Sequence, residues 1–219
     1  MQREIVLDTE TTGLDANGGD RLVEIGCVEI FNRMPTGREF HAFINPDGRD
    51  VHPEALAVHG ISNEFLADKP LFSGVVSDFL AFIGEDPLVI HNAPFDVGFI
   101  NAELQRLNLP PIAAERLVDT LALARRKHPA GPNTLDALCR RYGIDNSKRT
   151  KHGAIMDSLL LTEVYVELLG ERQAALGLID VVEVSAGATQ GAKTLQRPEP
   201  LPPRLTPEDV ARHVAQVVE

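Results

Sequence analysis

The run Asp8-Thr9-Glu10-Thr11-Thr12-Gly13 constrains this chain more than any other segment. The residues before it end in the apolar run Ile5-Val6-Leu7 and predict a short buried β-strand. Because side chains two positions apart in a strand point to the same face, Asp8 and Glu10 project together from the end of that strand. Two neighbouring carboxylates repel each other unless a cation neutralises them. The run therefore indicates either a divalent-metal site or a polar strand end with two solvated acids.

The composition is that of an ordinary globular protein. At 219 residues, with 43% hydrophobic and 24% charged side chains, the chain can bury one substantial core. We see no apolar run long enough to cross a bilayer and no secretory signal at the N-terminus. The two cysteines, Cys27 and Cys139, suit neither a disulfide framework nor a zinc site. We therefore expect a cytoplasmic protein without a membrane partner.

The net charge of −11 argues against a protein that coats DNA by electrostatic attraction. It does not exclude an enzyme that acts on nucleic acid, because metal ions can supply positive charge where a phosphate binds. Such an acidic enzyme is expected to bind nucleic acid weakly alone and to benefit from a partner that holds the substrate.

The order of predicted elements indicates an α/β domain on a mixed sheet at residues 1–170. Alternating residues from 21 to 45 predict two strands joined around Pro35-Thr36-Gly37, which complete a three-strand meander. A short buried strand is predicted at 87–90. Helical signals cover residues 73–84, 92–107, 118–127, 134–142 and 154–169.

The character of the sequence changes beyond residue 170. Residues 171–204 are expected to form a flexible linker, within which the proline-rich stretch 197–203 predicts a semi-rigid extended segment. Residues 205–219 predict a short helix, since Thr206-Pro207-Glu208-Asp209 is typical of a helix start and Val210, Val214 and Val217 follow at helical spacing. That helix either docks on a partner or packs back on its own domain, and the long spacer favours docking.

Two further segments carry acidic residues at helix starts. Asp96 falls in the first turn of a predicted helix, where it either complements the helix dipole or faces a metal. His152 and Asp157 follow a basic cluster, Lys148, Arg149 and Lys151, that is either a solvated loop or a site for the phosphate backbone. A histidine with a pKa near neutrality is suited to remove a proton from water.

Taken together, these residues match the needs of two-metal phosphodiester hydrolysis. Asp8, Glu10, Asp96 and Asp157 supply four carboxylates, and His152 supplies a base. Hard oxygen ligands favour two divalent ions, Mg²⁺ or Mn²⁺.

Three motifs in this order resemble the DEDDh family of 3′–5′ exonucleases, and within it the epsilon (proofreading) subunits of bacterial DNA polymerase III. The motifs are Asp8-Thr9-Glu10-Thr11-Thr12-Gly13, Asn92-Ala93-Pro94-Phe95-Asp96 and His152-Gly153-Ala154-Ile155-Met156-Asp157. The resemblance covers about residues 3–169. It implies a ribonuclease H-like fold with a mixed five-stranded sheet flanked by helices, and removal of mispaired 3′-terminal nucleotides from DNA.

The resemblance also implies roles for individual residues. Asp8, Glu10, Asp96 and Asp157 correspond to the metal ligands, and His152 corresponds to the general base. A second group surrounds the 3′-terminal nucleotide: Thr11, Gly13, Leu14, His59, Asn92 and Phe95. The segment Gln173-Ala174-Ala175-Leu176-Gly177-Leu178 resembles a sliding-clamp contact, although an ordinary linker explains it equally well. The C-terminal tail lies where the family binds the polymerase alpha subunit.

Two alternatives to a proofreading subunit remain open. A stand-alone nuclease of the same family that trims single-stranded DNA or RNA shares the motifs, although it has little need of a spaced docking helix. A purely structural subunit that tethers a polymerase and a clamp is disfavoured by the intact catalytic set.

Overall fold

The backbone forms a mixed five-stranded sheet in a computed structural model that describes residues 3–147, 149 and 151–170. The strand order is β3-β2-β1-β4-β5. The strands are β1 (Arg3–Thr11), β2 (Leu22–Phe31), β3 (Met34–Phe43), β4 (Leu88–Ile90) and β5 (Leu117–Asp119). Strands β1, β2 and β3 are antiparallel, whereas β4 runs parallel to both β1 and β5. The predicted mixed five-stranded sheet is confirmed.

Helices cover both faces of this sheet. They are α1 (Pro53–His59), α2 (Asn63–Leu66), α3 (Phe72–Ile83), α4 (Ala93–Arg106), α5 (Thr120–Lys127), α6 (Leu135–Tyr142) and α7 (Ala154–Leu169). The predicted helix at 154–169 is confirmed at both ends, and those at 73–84, 92–107 and 134–142 are confirmed within one or two residues. None of the described helices is long and apolar enough to cross a membrane.

Alternation along β1 divides the apolar residues between two cores. Ile5 and Leu7 point into a cluster with α3 and α4, whereas Val6 points into a second cluster with α6 and α7. This two-residue period is what a strand buried on both faces requires. The first strand is therefore central to the fold, and its C-terminal end lies between helices from both layers.

The predicted hairpin turn at Pro35-Thr36-Gly37 is wrong. The chain turns two residues earlier, at Asn32 and Arg33, which have φ values of 48° and 67°. A two-residue turn with positive φ matches the twist of antiparallel strands, and asparagine adopts that conformation readily. Pro35 instead pairs with Ile30 inside the ladder, next to a register irregularity.

The helix predicted at 118–127 begins at Thr120 in the structure, because the two residues before it belong to strand β5. Leu117, Val118 and Asp119 pair with β4, and Asp119 caps α5 by accepting a hydrogen bond from the backbone N–H of Leu121 at 2.9 Å. A three-residue strand is too short to give a period of its own. Helices α1 and α2, of seven and four residues, were not predicted for the same reason.

Helix α7 lies unusually close to β2. A Cβ atom added to Gly26 would lie 2.3 Å from the backbone carbon of Ala154. Ser158 donates a hydrogen bond from Oγ to the carbonyl oxygen of Gly26 at 3.0 Å. Any larger residue at position 26 would therefore push the first turn of α7 off the sheet.

Several predictions lie outside the described residues. They are the linker and clamp-contacting segment at 171–204, the terminal helix at 205–219, and the membership of Lys148 in the basic cluster.

We expect Gly26→Ala to lower the free energy of unfolding by about 2 kcal/mol or more, because backbone atoms of α7 cannot yield as a flexible side chain would. Urea denaturation followed by circular dichroism measures this loss. Gly98→Ala is the matched control, since Gly98 is exposed on α4 and an added Cβ meets nothing within 4 Å. That control is expected to gain up to about 1 kcal/mol through helix propensity. Equal stability of the two variants would contradict the close packing.

Candidate active site

The opening acids lie at the C-terminal end of the central strand. Asp8 and Glu10 both belong to β1, where Glu10 is buried and Asp8 is partly exposed. Thr9, between them, donates two hydrogen bonds to Oδ1 of Asp96, from its backbone N–H at 3.0 Å and from its hydroxyl at 2.7 Å. The third predicted carboxylate is thus tied to the strand that carries the first two.

Asp96 reaches this position because β4 leads directly into α4. The chain turns at Asn92, whose φ of 73° is left-handed, and Asp96 follows in the first turn of the helix. The parallel pairing of β4 with β1 brings the start of α4 to the same edge of the sheet as Asp8. The αL conformation of Asn92 suits an asparagine better than most residues.

The first turn of α7 brings the fourth carboxylate. The backbone N–H of Ala154 donates to Oε2 of Glu24 at 3.1 Å, which anchors the helix start to β2. Asp157 is 3% exposed one turn into the helix, and His152 lies in the preceding loop. Single donor atoms of Glu10, His152 and Asp157 all lie within 4.8 Å of one another.

The surroundings of the site disfavour the ionised form of three of its carboxyl groups. Burial, followed by repulsion from Asp96 and Glu10, holds the pKa of Asp8 well above its usual range. Burial and then Asp157 raise the pKa of Glu10 to about 8. Burial also raises the pKa of Asp96 to about 7, even though hydrogen bonds from Thr9 act in the opposite direction.

These carboxylates fit divalent cations. They are hard oxygen donors from three separate elements, and burial together with neighbouring carboxylates raises the pKa values of Asp8, Glu10 and Asp96. A bound cation would stabilise the charged forms of Asp8, Glu10 and Asp96 and lower their pKa values. Four residues could therefore hold metal ions: Asp8, Glu10, Asp96 and Asp157.

Asp157 differs from the other three carboxylates because it already has a cationic partner. Arg149 donates from Nε to Oδ1 at 2.5 Å and from Nη2 to Oδ2 at 2.6 Å. Although burial acts to raise the pKa of Asp157, the hydrogen bonds and the positive charge of Arg149 help to lower it. The sequence pointed to Arg149 only as one member of a basic cluster, and its bond with Asp157 was not predicted.

The acids open into a cavity of about 990 Å³. All six residues expected around a terminal nucleotide line it: Thr11, Gly13, Leu14, His59, Asn92 and Phe95. Leu14 is 86% exposed, so none of the residues that the structure describes covers it at the cavity mouth. The apolar side chain of Leu14 and the aromatic ring of Phe95 are suited to contact a base.

Two hydrogen bonds within the protein fix the ring of His59. Its Nδ1 accepts the backbone N–H of Ile61 at 3.0 Å, and its Nε2 donates to the carbonyl oxygen of Thr11 at 3.2 Å. Both ring nitrogens are therefore used within the protein, and only the ring carbons remain for a ligand. Burial lowers the pKa of His59, in keeping with a neutral ring.

Asp20 was missed by the sequence reasoning, although it organises the loop that carries Leu14. It is 3% exposed and accepts the backbone N–H of Asp15 at 3.0 Å. Arg49 donates to it from Nη2 at 2.7 Å. No local pattern gives this role, because Arg49 lies 29 residues further along the chain.

Comparison with known proteins identifies the family. The family model described as Exonuclease matches residues 5–165. The DNA polymerase III subunit epsilon of Rickettsia felis is 47% identical over 215 residues, which cover 96% of this chain and 93% of that protein. The subunit of the same name from Escherichia coli K12 is 44% identical over 229 residues, covering 99% of this chain and 93% of the relative.

Solved structures agree on the fold. Exonuclease X in complex with 5′ overhanging duplex DNA aligns with a TM-score of 0.62 and 26% identity, over 77% of this chain and 92% of that one. The nuclease domain of 3′hExo, a DEDDh family member bound to rAMP, aligns with a TM-score of 0.65 at 17% identity, over 78% and 92%. The expected family resemblance is confirmed, and this chain belongs to the exonuclease family, alongside the epsilon subunits of DNA polymerase III.

Proposed function

We propose that this chain is the 3′–5′ exonuclease subunit of a DNA polymerase III and removes mispaired 3′-terminal nucleotides during replication. One observation carries the proposal: four carboxylates and a histidine meet in one cavity. The chain that carries them is 47% identical to a named epsilon subunit over 93% of that subunit's length.

The four carboxylates have the role of metal ligands in this proposal. Divalent ions bound by Asp8, Glu10, Asp96 and Asp157 supply the positive charge that lowers the pKa of water and stabilises the leaving 3′ oxygen. Mg²⁺ and Mn²⁺ both suit oxygen donors. The raised pKa values of Asp8, Glu10 and Asp96 support the assignment, because these groups gain most from a nearby cation.

His152 has the role of general base. Its imidazole lies at the cavity beside Asp157, with Nδ1 at 3.4 Å from Oδ2 of the carboxylate. A neutral imidazole removes the proton from the attacking water, and the neighbouring carboxylate stabilises the imidazolium that results. The side chain is 46% exposed, so the proton can pass from it to solvent.

The cavity mouth is where the terminal nucleotide is held. Leu14 and Phe95 offer apolar contacts to a base, while Thr11, Gly13 and Asn92 line the same space. A mispaired 3′ end frays at lower free-energy cost than a paired end. A cavity that accepts only an unpaired nucleotide therefore selects errors without reading sequence.

The tail has the role of an assembly segment. We assign residues 1–170 to the exonuclease domain, residues 171–204 to a linker with a clamp-contacting peptide at 173–178, and residues 205–219 to a helix that binds the polymerase alpha subunit. The acidic net charge of −11 supports dependence on such partners, because the chain alone has little attraction for DNA. A partner in replication also supports a cytoplasmic location.

A primer-end assay tests the function. With Mg²⁺ present, we expect faster release of the 3′ nucleotide from a mispaired primer than from a paired one, and faster release from single-stranded DNA than from RNA of equal length. The double variant Asp8→Ala with Glu10→Ala is expected to release nothing while its circular dichroism stays that of the wild type. Its control is Asp78→Ala with Glu85→Ala, which removes two exposed acids. Equal rates on paired and mispaired ends, or a preference for RNA, would favour a trimming nuclease.

Removing the base is expected to slow catalysis much more than it weakens binding. We expect His152→Ala to reduce kcat by about 10²- to 10⁴-fold, which is the usual contribution of a positioned base. Fluorescence anisotropy with a labelled oligonucleotide in EDTA is expected to give a Kd within about threefold of wild type, since the imidazole is one contact among many. His128→Ala is the control, because His128 is bonded to Tyr142 away from the carboxylates. A large loss of binding with kcat retained would contradict the role.

Truncation separates catalysis from assembly. A chain that ends at residue 178 is expected to keep its activity on free oligonucleotides, because His152 and the four carboxylates of the site all lie before that point. It is expected to lose co-elution with the polymerase alpha subunit in gel filtration. Retained co-elution would show that the catalytic domain, rather than the tail, binds the polymerase.

A further inference from the structure

Arg149 connects three groups at the edge of the carboxylate cluster. Its side chain is only 6% exposed. Besides its two bonds to Asp157, it donates from Nη1 to Oδ1 of Asp136 at 2.7 Å and from Nη2 to Nδ1 of His152 at 2.9 Å. One guanidinium thus touches a metal-ligand carboxylate and the general base at the same time.

The bond to His152 determines the state of the imidazole. A guanidinium has only donors and no acceptor, so Nδ1 of His152 must accept this bond with its lone pair. A neutral imidazole has one such lone pair, and its other nitrogen, Nε2, then carries the hydrogen. While Arg149 holds this position, His152 therefore has no lone pair left with which to take a proton from water.

The bonds to Asp157 have a parallel consequence. Both carboxylate oxygens, Oδ1 and Oδ2, point at nitrogen atoms of Arg149. A divalent cation bound by Asp157 needs one or both of these oxygens, and two cations at the same carboxylate repel each other. The guanidinium and the metal ion compete for one ligand.

A displaced guanidinium has a place to go. Asp136, on α6, holds Nη1 and is 45% exposed, so it can keep its bond while the rest of the group rotates. A neighbouring polar cavity of about 670 Å³ is lined by Asp136, Arg140, Asn146 and Lys151. Arg149 itself lines both this cavity and the larger one that contains the acids.

We propose that Arg149 is a latch on the active site, which competes with the divalent cation for Asp157 and occupies the lone pair of His152 until the cation displaces it. A single movement about Asp136 then frees a metal ligand and the base together. This inference rests on the proposed function, since it requires metal binding at these carboxylates. Under this proposal, the fraction of molecules in which Asp157 and the lone pair of His152 are free depends on the cation concentration.

A supporting role for Arg149 and a competing role predict opposite changes in metal affinity when Arg149 is removed. If Arg149 only holds Asp157 in place for the metal, its removal weakens metal binding. If it competes with the metal, its removal strengthens binding. Mn²⁺ affinity of the free protein therefore separates a latch from a structural support without any measurement of activity.

Isothermal titration of the full chain with Mn²⁺ tests the latch. We expect Arg149→Gln to bind Mn²⁺ about tenfold more tightly than the wild type, because a charge-assisted competitor has been removed. Arg140→Gln is the matched control, since it removes an equal charge from α6 without touching Asp157, and its affinity is expected to stay within about twofold of wild type. Equal or weaker binding by Arg149→Gln would overturn the proposal. If the wild type itself binds no Mn²⁺, the proposed metal site is contradicted together with the latch. If the wild type binds Mn²⁺ and Arg149→Gln binds it no more tightly, only the latch is contradicted.

A second measurement needs no substitution. The Nε–H of Arg149 gives its own signal in a ¹⁵N-edited NMR spectrum, and its bond to Asp157 shifts that signal from the solvent-exposed position. We expect saturating Mg²⁺ to move the Arg149 signal toward that of a solvated arginine and to change the ring ¹⁵N shifts of His152 together with it. An Arg149 signal unchanged by saturating Mg²⁺ would overturn the latch, even if Arg149→Gln does not fold.

Discussion

Repulsion among four converging carboxylates is the constraint on which the rest of this structure depends. Asp8 and Glu10 come from the central strand, Asp96 from a helix on one face of the sheet, and Asp157 from a helix on the other. No local interaction favours such a cluster, and burial raises its free energy further. The two apolar clusters that flank the sheet must supply the stability that holds these charges together.

The four carboxylates differ in how far hydrogen bonds and ion pairs offset their negative charge. Asp96 accepts two hydrogen bonds from Thr9, and Asp157 forms a bidentate ion pair with Arg149. Burial and repulsion from neighbouring carboxylates outweigh the attraction of Arg149 and raise the pKa values of Asp8 and Glu10, so these two groups gain most from a metal ion. The guanidinium of Arg149 that bonds to Asp157 also lies 2.9 Å from Nδ1 of His152, and this shared contact is the basis of the proposed latch.

The fold was largely predictable where apolar periodicity extends over several turns, as in α3, α4, α6 and α7. Prediction succeeded for the three-residue strand β4, expected at 87–90, but failed for other short elements that tertiary pairing creates. Strand β5 exists because Leu117 and Val118 complete the edge of β4, and the turn at Asn32 and Arg33 depends on strand twist rather than on the nearby proline and glycine. Gly26 belongs to the same class, since its small size matters only because α7 crosses it.

The sequence by itself determined which residues form the cluster. The two-residue period of a strand puts Asp8 and Glu10 on one face, and three ordered motifs resemble one family of nucleases. Only the tertiary structure decided how these residues are partnered. The bonds from Arg149 to Asp136, Asp157 and His152 depend on how a loop lies between two helices, which no periodicity encodes. Side-chain contacts of this kind arise from packing in three dimensions, so the chain order alone does not reveal whether a neighbouring cation supports the site or competes for it.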